Sequence, residues 1–297
     1  MQFEVIVVGG SYAGLSGALQ LARARRRILV IDEGTRRNRF ADSSHGFLGQ
    51  DGRAPGAIQS DAREQLLAYD TVTWVDGRVT QAWAVERGFG IRTQSGDQYE
   101  GRRLLLATGV RDELPDIPGL AERWGRHVFH CPYCHGYELD KGKIAVLAVS
   151  PVSMHHAMML PDWGETTLLL NGAFEPDAEQ AAALSRRGVT VEKTPVRAVV
   201  GPAATVELED DRVLSFDGMF TAPRTHMASP LAEQLGCAFD DGPMGAFVRT
   251  GMTRETTAPG VFACGDAARA AGSVALAVGD GTMAGAGVHQ SLIFRET

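Results

Sequence analysis

Phe3-Glu4-Val5-Ile6-Val7-Val8-Gly9-Gly10-Ser11-Tyr12-Ala13-Gly14 decides the fold. An apolar run broken only by Glu4 is the pattern of a strand buried on both faces of a parallel sheet. The glycines follow at once, and Leu15 to Ala24 then places apolar and small residues at helical spacing. After Arg25 to Arg27 comes a second β-rich run, Ile28 to Ile31, ending in Asp32 and Glu33. This βαβ order lets backbone N–H groups meet a pyrophosphate at a helix N-terminus. Gly9, Gly10, Ala13 and Gly14 are the expected phosphate-turn residues, with Ser11 standing where the fingerprint wants its middle glycine. Asp32 lies eighteen residues beyond Gly14, with Glu33 beside it, about where an acid reaches ribose hydroxyls.

Outward from this turn, the 297 residues give length for two domains. A hydrophobic fraction of 44% with 22% charged residues is globular, and the net charge of −7 with only short basic clusters argues against nucleic acid. No apolar stretch reaches the roughly 20 residues that span a bilayer, so no membrane association is expected. Four cysteines make no disulfide scaffold and point to a reducing cytoplasm. Cys237 and Cys264 read as small buried residues.

Cys131-Pro132-Tyr133-Cys134, followed by His135, is the second informative stretch. Cysteines separated by two residues cycle between dithiol and disulfide, and each can lower the other's pKa. CxxCH is also the attachment pattern for a c-type haem, which needs export, and Met1-Gln2-Phe3-Glu4 lacks the basic start of a signal peptide. Zinc would need further ligands, for which His130 and His135 are the neighbours, and the expectation is no metal. His155, His156 and the methionines at 154, 158 and 159 read as helix packing.

Arg103 to Gly109 is a buried strand ending in Ala-Thr-Gly, and Thr257 to Asp266 is a strand ending in Gly-Asp. With the first turn and the central CxxC, the whole chain resembles the pyridine nucleotide-disulfide oxidoreductases, in particular the low-molecular-weight thioredoxin reductases. The resemblance implies an α/β fold of two Rossmann-like three-layer domains, an FAD domain interrupted by a smaller NADPH-domain-like insert that carries the redox pair. The expected boundaries are 1–113 and 223–297 for the FAD domain and 114–222 for the insert. It implies FAD as cofactor, with Thr108, Gly109, Gly265 and Asp266 near it and the helix start Ser273, Val274 and Ala275 aimed at the flavin ring. Asn38, His45 and Gln50 are candidate flavin contacts on the loop after the first βαβ unit. A homodimer is expected on the same ground.

In the insert, Lys143 to Leu147 reads as a strand, but Ala148-Val149-Ser150-Pro151-Val152-Ser153 has no glycine where the family wants three. No arginine occurs between Arg126 and Arg186 to grip a 2′-phosphate. The expectation is therefore a lost NADPH site and an enzyme that oxidises a dithiol through Cys131, Cys134 and FAD, with O2 as acceptor. CPYCHG with such a turn is similar to the dithiol oxidases of the gliotoxin and holomycin kind. The alternatives are a thioredoxin reductase fed by ferredoxin or NADPH, acting on a thioredoxin-like protein rather than a small-molecule dithiol, and a flavin-linked redox sensor. The resemblance assigns Cys134 to the flavin and Cys131 to substrate exchange. His135 is the expected acid–base, able as a cation to stabilise a thiolate, with His130 as its rival.

Overall fold

The first strand, β1 (Phe3–Val8), is apolar and buried from Val5 to Val8 because its two faces meet different cores. Side chains alternate across a strand, so Val5 and Val7 enter one cluster while Ile6 and Val8 enter the other. In this computed structural model, which describes residues 3–295, α1 (Tyr12–Arg23), β2 (Ile28–Asp32), α2 (Pro55–Leu67), β3 (Val72–Asp76), β4 (Val79–Val85), β5 (Gly88–Thr93) and β6 (Gln98–Leu106) follow. Met1 and Gln2, half of the segment compared above with a signal peptide, lie outside the described residues.

The chain forms two compact units, Met1–Arg39 with Phe47–Arg111 and Thr225–Thr297, and Phe40–Gly46 with Asp112–Arg224. It crosses within β7 (Val110–Glu113) into β8 (Val128–Phe129), α3 (Pro132–His135), β9 (Lys141–Leu147), α4 (Met154–Met159), β10 (Gly164–Leu169), α5 (Ala178–Arg186), β11 (Thr190–Glu192), β12 (Val196–Val200), β13 (Ala204–Leu208), β14 (Val213–Phe216) and β15 (Gly218–Thr221). It returns through β16 (Arg224–Met227) to α6 (Leu231–Gln234), β17 (Phe239–Asp241), β18 (Ala246–Val248), β19 (Val261–Ala263) and α7 (Val274–Phe294).

The first unit holds a seven-stranded sheet in the order β3-β2-β1-β6-β5-β4, with β19 also on β6. The β1, β2, β3, β6 and β19 pairings are parallel, and β4-β5-β6 is an antiparallel extension. The second unit repeats the plan in a five-stranded parallel sheet, β11-β10-β9-β15-β8, beside the antiparallel ribbon β12-β13-β14. There β9 sends Ala145 and Leu147 into one core and Ile144 and Val146 into another. This is the α/β, two-Rossmann-type class expected from the sequence. One segment departs from the expected division: Phe40–Gly46, left above with the first domain, clusters with the insert.

In the first unit α1 and α7 pack backbone to backbone. A Cβ on Gly281 would run into the Ala13 carbonyl, and Ser16 Oγ donates to the Val278 carbonyl at 2.7 Å. Gly281→Val is expected to cost about 3 kcal/mol in urea unfolding, whereas Met283→Ala, on a half-exposed side chain of the same helix, stays within about 0.5 kcal/mol.

Candidate functional site

At the C-terminal end of β1 the backbone turns through Gly9 (φ +101°), where a Cβ would strike the Ala107 carbonyl. Gly14, one helical turn on, lies so close that a Cβ there would strike the Gly9 carbonyl. Ser11 is the N-cap of α1 in extended conformation, its side chain caps nothing, and no acidic residue stands in the first turn. The first N–H groups of this helix are thus left to an external acceptor, and the helix dipole adds positive potential. Asp32, only 9% exposed, accepts the Gly10 N–H through Oδ1 at 2.8 Å, and its neighbours Glu33 and Gly34 line an open cavity of about 550 Å³ with Asp76, Gly77 and Arg78. A pyrophosphate at the helix start and a ribose at Asp32 fit these groups.

The other expected cofactor residues have definite places. Thr108 and Gly109 follow β6, with Gly109 at φ +66°. Asp266 is ion-paired with Arg37 at 2.8 Å, and the Gly265 N–H donates to Asp280 Oδ2 at 2.9 Å. Ser273 caps α7 by accepting the Leu276 N–H at 3.2 Å, so Val274 and Ala275 open that helix. Asn38 donates to the Tyr12 hydroxyl at 3.2 Å, and Gln50 accepts from Arg53 at 2.7 Å. His45 clusters with the second unit, its Nδ1 3.4 Å from Glu138 Oε1.

The redox turn follows β8. Cys131 is the N-cap of α3, Pro132 fills its first position, and the Cys134 N–H donates to the Cys131 carbonyl at 3.2 Å. Cys131 and Cys134 form a disulfide with Cα atoms 5.3 Å apart. Tyr133, 72% exposed, meets the edge of Trp163 at 5.4 Å between centroids, and Tyr137 is 85% exposed. His135 stacks on Phe129 at 4.4 Å between ring centroids. Burial first, and then the His45 charge, push its pKa down to about 4. At neutral pH the ring is therefore uncharged, and the cationic role expected of His135 is not the state its surroundings favour. Cys237 is buried beside Thr256, and Cys264 is wholly buried, with burial pushing its thiol far up; neither is poised to react.

At the insert's turn, side chains take the donors that glycines would leave to a ligand. Val149 N–H donates to Ser153 Oγ at 3.1 Å, Val152 N–H to Ser150 Oγ at 3.2 Å, and Ser153 N–H to the Ser150 carbonyl at 3.0 Å. Among the nearby basic side chains, Arg187 is held by Asp162 and the Met158 carbonyl, and Lys193 pairs with Glu175. His156, buried in α4, packs against Phe220 and hydrogen-bonds the His130 backbone.

The profile of the pyridine nucleotide-disulphide oxidoreductases matches residues 3–281, across both units and the insert's turn. The chain belongs to this family. It is 31% identical to thioredoxin reductase aclD of Aspergillus oryzae, over 99% of this chain and 98% of that protein. Among solved structures it is similar to an oxidoreductase from Agrobacterium tumefaciens, at 58% identity and TM-score 0.97 over the whole of both chains. It is also similar to the putative thioredoxin reductase TrxB of Bacillus anthracis, at 27% identity and TM-score 0.90 over 98% of each chain.

Membership makes the chain an FAD-dependent oxidoreductase acting on thiol and disulfide groups. It also corrects the expectation of an O2-dependent dithiol oxidase without a nucleotide site: relatives aligned along nearly the full chain are thioredoxin reductases. The expectation of a lost site rested on the glycine-free turn and on the absence of arginine between Arg126 and Arg186, and neither feature reports which electron partner serves the flavin. Among the described residues no helix is long and apolar enough to cross a membrane.

His135 and His156 make the second unit acid-sensitive. Burial lowers both to about 4 from 6.5, so the unfolded chain binds more protons between those values, and stability present above pH 6.5 is lost as pH falls toward 4. Urea unfolding at pH 7.5 and 5.0 is expected to differ by on the order of 4 kcal/mol, about 2 from each histidine, with His156→Gln roughly halving the gap.

Proposed function

We propose that this flavoprotein is a thioredoxin-reductase-type enzyme that takes electrons from NADPH and passes them through the Cys131–Cys134 pair to the disulfide of a thioredoxin-like protein. The observation that carries the reading is the disulfide itself, held at the start of a short helical turn whose next side chain, Tyr133, stands in solvent. A protein partner needs to reach a sulfur, because exchange proceeds by in-line attack through a mixed disulfide, and Cys131 and Cys134 are half-buried beside the exposed Tyr133. Cys131, ahead of the turn, is the exchanging thiol in this reading, and Cys134, inside it, is the thiol that closes the pair again. The first unit holds FAD at Gly9 to Gly14, Asp32 and Asp266. Bound FAD supplies the relay between a two-electron hydride donor and the disulfide.

The relatives named thioredoxin reductases support this choice of acceptor and donor. The insert's turn implies weak nucleotide binding. A pyrophosphate seated there has to displace Ser150 and Ser153 from the N–H groups of Val152 and Val149, and Pro151 offers no N–H at all.

Anaerobic titration is expected to bleach the flavin with NADPH, and the reduced enzyme to reduce a thioredoxin disulfide. Cys134→Ser is expected to lower that turnover by about 10³-fold or more. A flavin that dithiothreitol reduces and NADPH leaves untouched would sink the proposal. Separately, Pro151→Gly is expected to lower the KM for NADPH by about threefold to tenfold with kcat unchanged, measured by steady-state kinetics, because it restores a donor and frees the backbone.

A further inference from the structure

The cavity that opens beside Asp32 is also lined by Gln94, in the turn between β5 and β6. Backbone hydrogen bonds pin its walls together. The Gly77 N–H donates to the Asp32 carbonyl at 2.8 Å, and the Gln94 N–H donates to the Arg78 carbonyl at 2.8 Å. The turn that carries Gln94 is itself braced by Thr93 Oγ1, which accepts the Asp97 N–H at 3.1 Å and lies 2.8 Å from Ser95 Oγ. A volume of about 550 Å³ falls within the range of small-molecule pockets.

Most polar groups of the lining already have protein partners. Asp32 Oδ1 accepts the Gly10 N–H, and Asp76 Oδ1 accepts from Trp74 Nε1 at 2.8 Å and pairs with Arg63 at 3.1 Å. Arg78 Nε lies 3.5 Å from Glu33 Oε2. Three carboxylates of the lining thus stand against one guanidinium, which disfavours a phosphate there and favours a neutral group. The Gln94 amide is engaged by no protein group among the described residues, and Gln94 is exposed. An amide presents a donor and an acceptor side by side, the pattern that matches the 6-amino group of adenine and the ring nitrogen next to it. A guanidinium is planar and packs on aromatic faces.

We infer that Gln94 selects the adenine of FAD by pairing its amide with the 6-amino edge of the base, while Arg78, ion-paired with Glu33, covers the ring. The inference rests on the placement of FAD from the phosphate turn to Asp32, and it is independent of the electron donor and acceptor. With the diphosphate at the start of α1 and the ribose at Asp32, the base is the next part of the cofactor and enters this cavity. The carboxylates of Glu33 and Asp76 turn away a ribose that carries a further phosphate, so the cavity takes an unphosphorylated adenosine.

The test is cofactor exchange. Holoenzyme is equilibrated with an excess of equal amounts of FAD and an FAD analogue whose purine lacks the 6-amino group. It is then washed and denatured, and the released dinucleotides are resolved by chromatography. Wild type is expected to retain FAD over the analogue by about threefold to tenfold, the range of one neutral hydrogen bond. Gln94→Leu is expected to bring the ratio close to one. Arg78→Met is expected to keep the wild-type ratio and to speed flavin release on dilution about threefold, followed by flavin fluorescence. A wild-type ratio of one would overturn the inference, as would a Gln94→Leu ratio equal to that of wild type. An unchanged release rate in Arg78→Met would remove the role of Arg78. Should bound FAD exchange too slowly for the ratio to be read, release on dilution decides the matter: Gln94→Leu is expected to lose FAD about threefold to tenfold faster, and an equal rate is fatal. Protein that carries no flavin at all would count against the placement of FAD, whereas a full flavin load with a ratio of one counts against Gln94 alone.

Discussion

Backbone meeting backbone, with no side chain between, is the constraint on which the first unit depends. Gly14 rests on the Gly9 carbonyl, Gly9 on the Ala107 carbonyl and Gly281 on the Ala13 carbonyl, so β1, β6, α1 and α7 converge on one small region. That convergence opens the N-terminus of α1 and keeps its N–H groups bare for an anion. It also ties the two ends of the chain together. Strand β19 completes its side of the sheet by pairing with Leu104 to Leu106 only after more than a hundred residues of insert have been made. An insert tolerated at that place has to bury its own core, and the second unit does so on both faces of β9.

The redox turn solves a different problem, keeping a half-buried cysteine pair near the surface while controlling the polarity around it. Aromatic rings do part of this: Phe129 stacks on His135 and Phe220 tilts against Phe129, which desolvates the imidazole and holds it neutral. A charged histidine directly after Cys134 would have to be stabilised inside that apolar wall. The neighbouring pair of His45 and Glu138 is wetter, since neither side chain is fully withdrawn from solvent.

Most of the fold was legible because parallel strands buried on both faces need apolar runs, and β1, β2, β6 and β9 each contain one: Val5–Val8, Ile28–Ile31, Leu104–Leu106 and Ile144–Leu147. Asp32 was legible for a similar reason, since its distance from Gly14 is set by one βαβ unit. The path of Phe40–Gly46 was not. Its neighbour Gly125 lies about eighty residues away, and nothing in a short polar loop encodes so distant a partner. The protonation state of His135 was hidden likewise, because it depends on Phe129 and on that same loop. At the insert's turn the missing glycines were visible in sequence, but the serines that took over the donors became meaningful only with their hydrogen bonds.

Those serines bear on why loss of a glycine fingerprint is a poor argument for loss of a ligand. Ser150 and Ser153 place neutral oxygens on the N–H groups of Val152 and Val149, where a pyrophosphate would place charged ones. Exchanging a neutral acceptor for an ionised one strengthens each bond roughly twofold, so the hydroxyls are displaceable in principle. What exchange cannot recover is the missing N–H of Pro151 and the dipole of a long helix, since α4 spans only Met154–Met159. The turn is thus a poorer seat for a pyrophosphate than a glycine turn, and Arg187 and Lys193 are already paired, with Asp162 and Glu175.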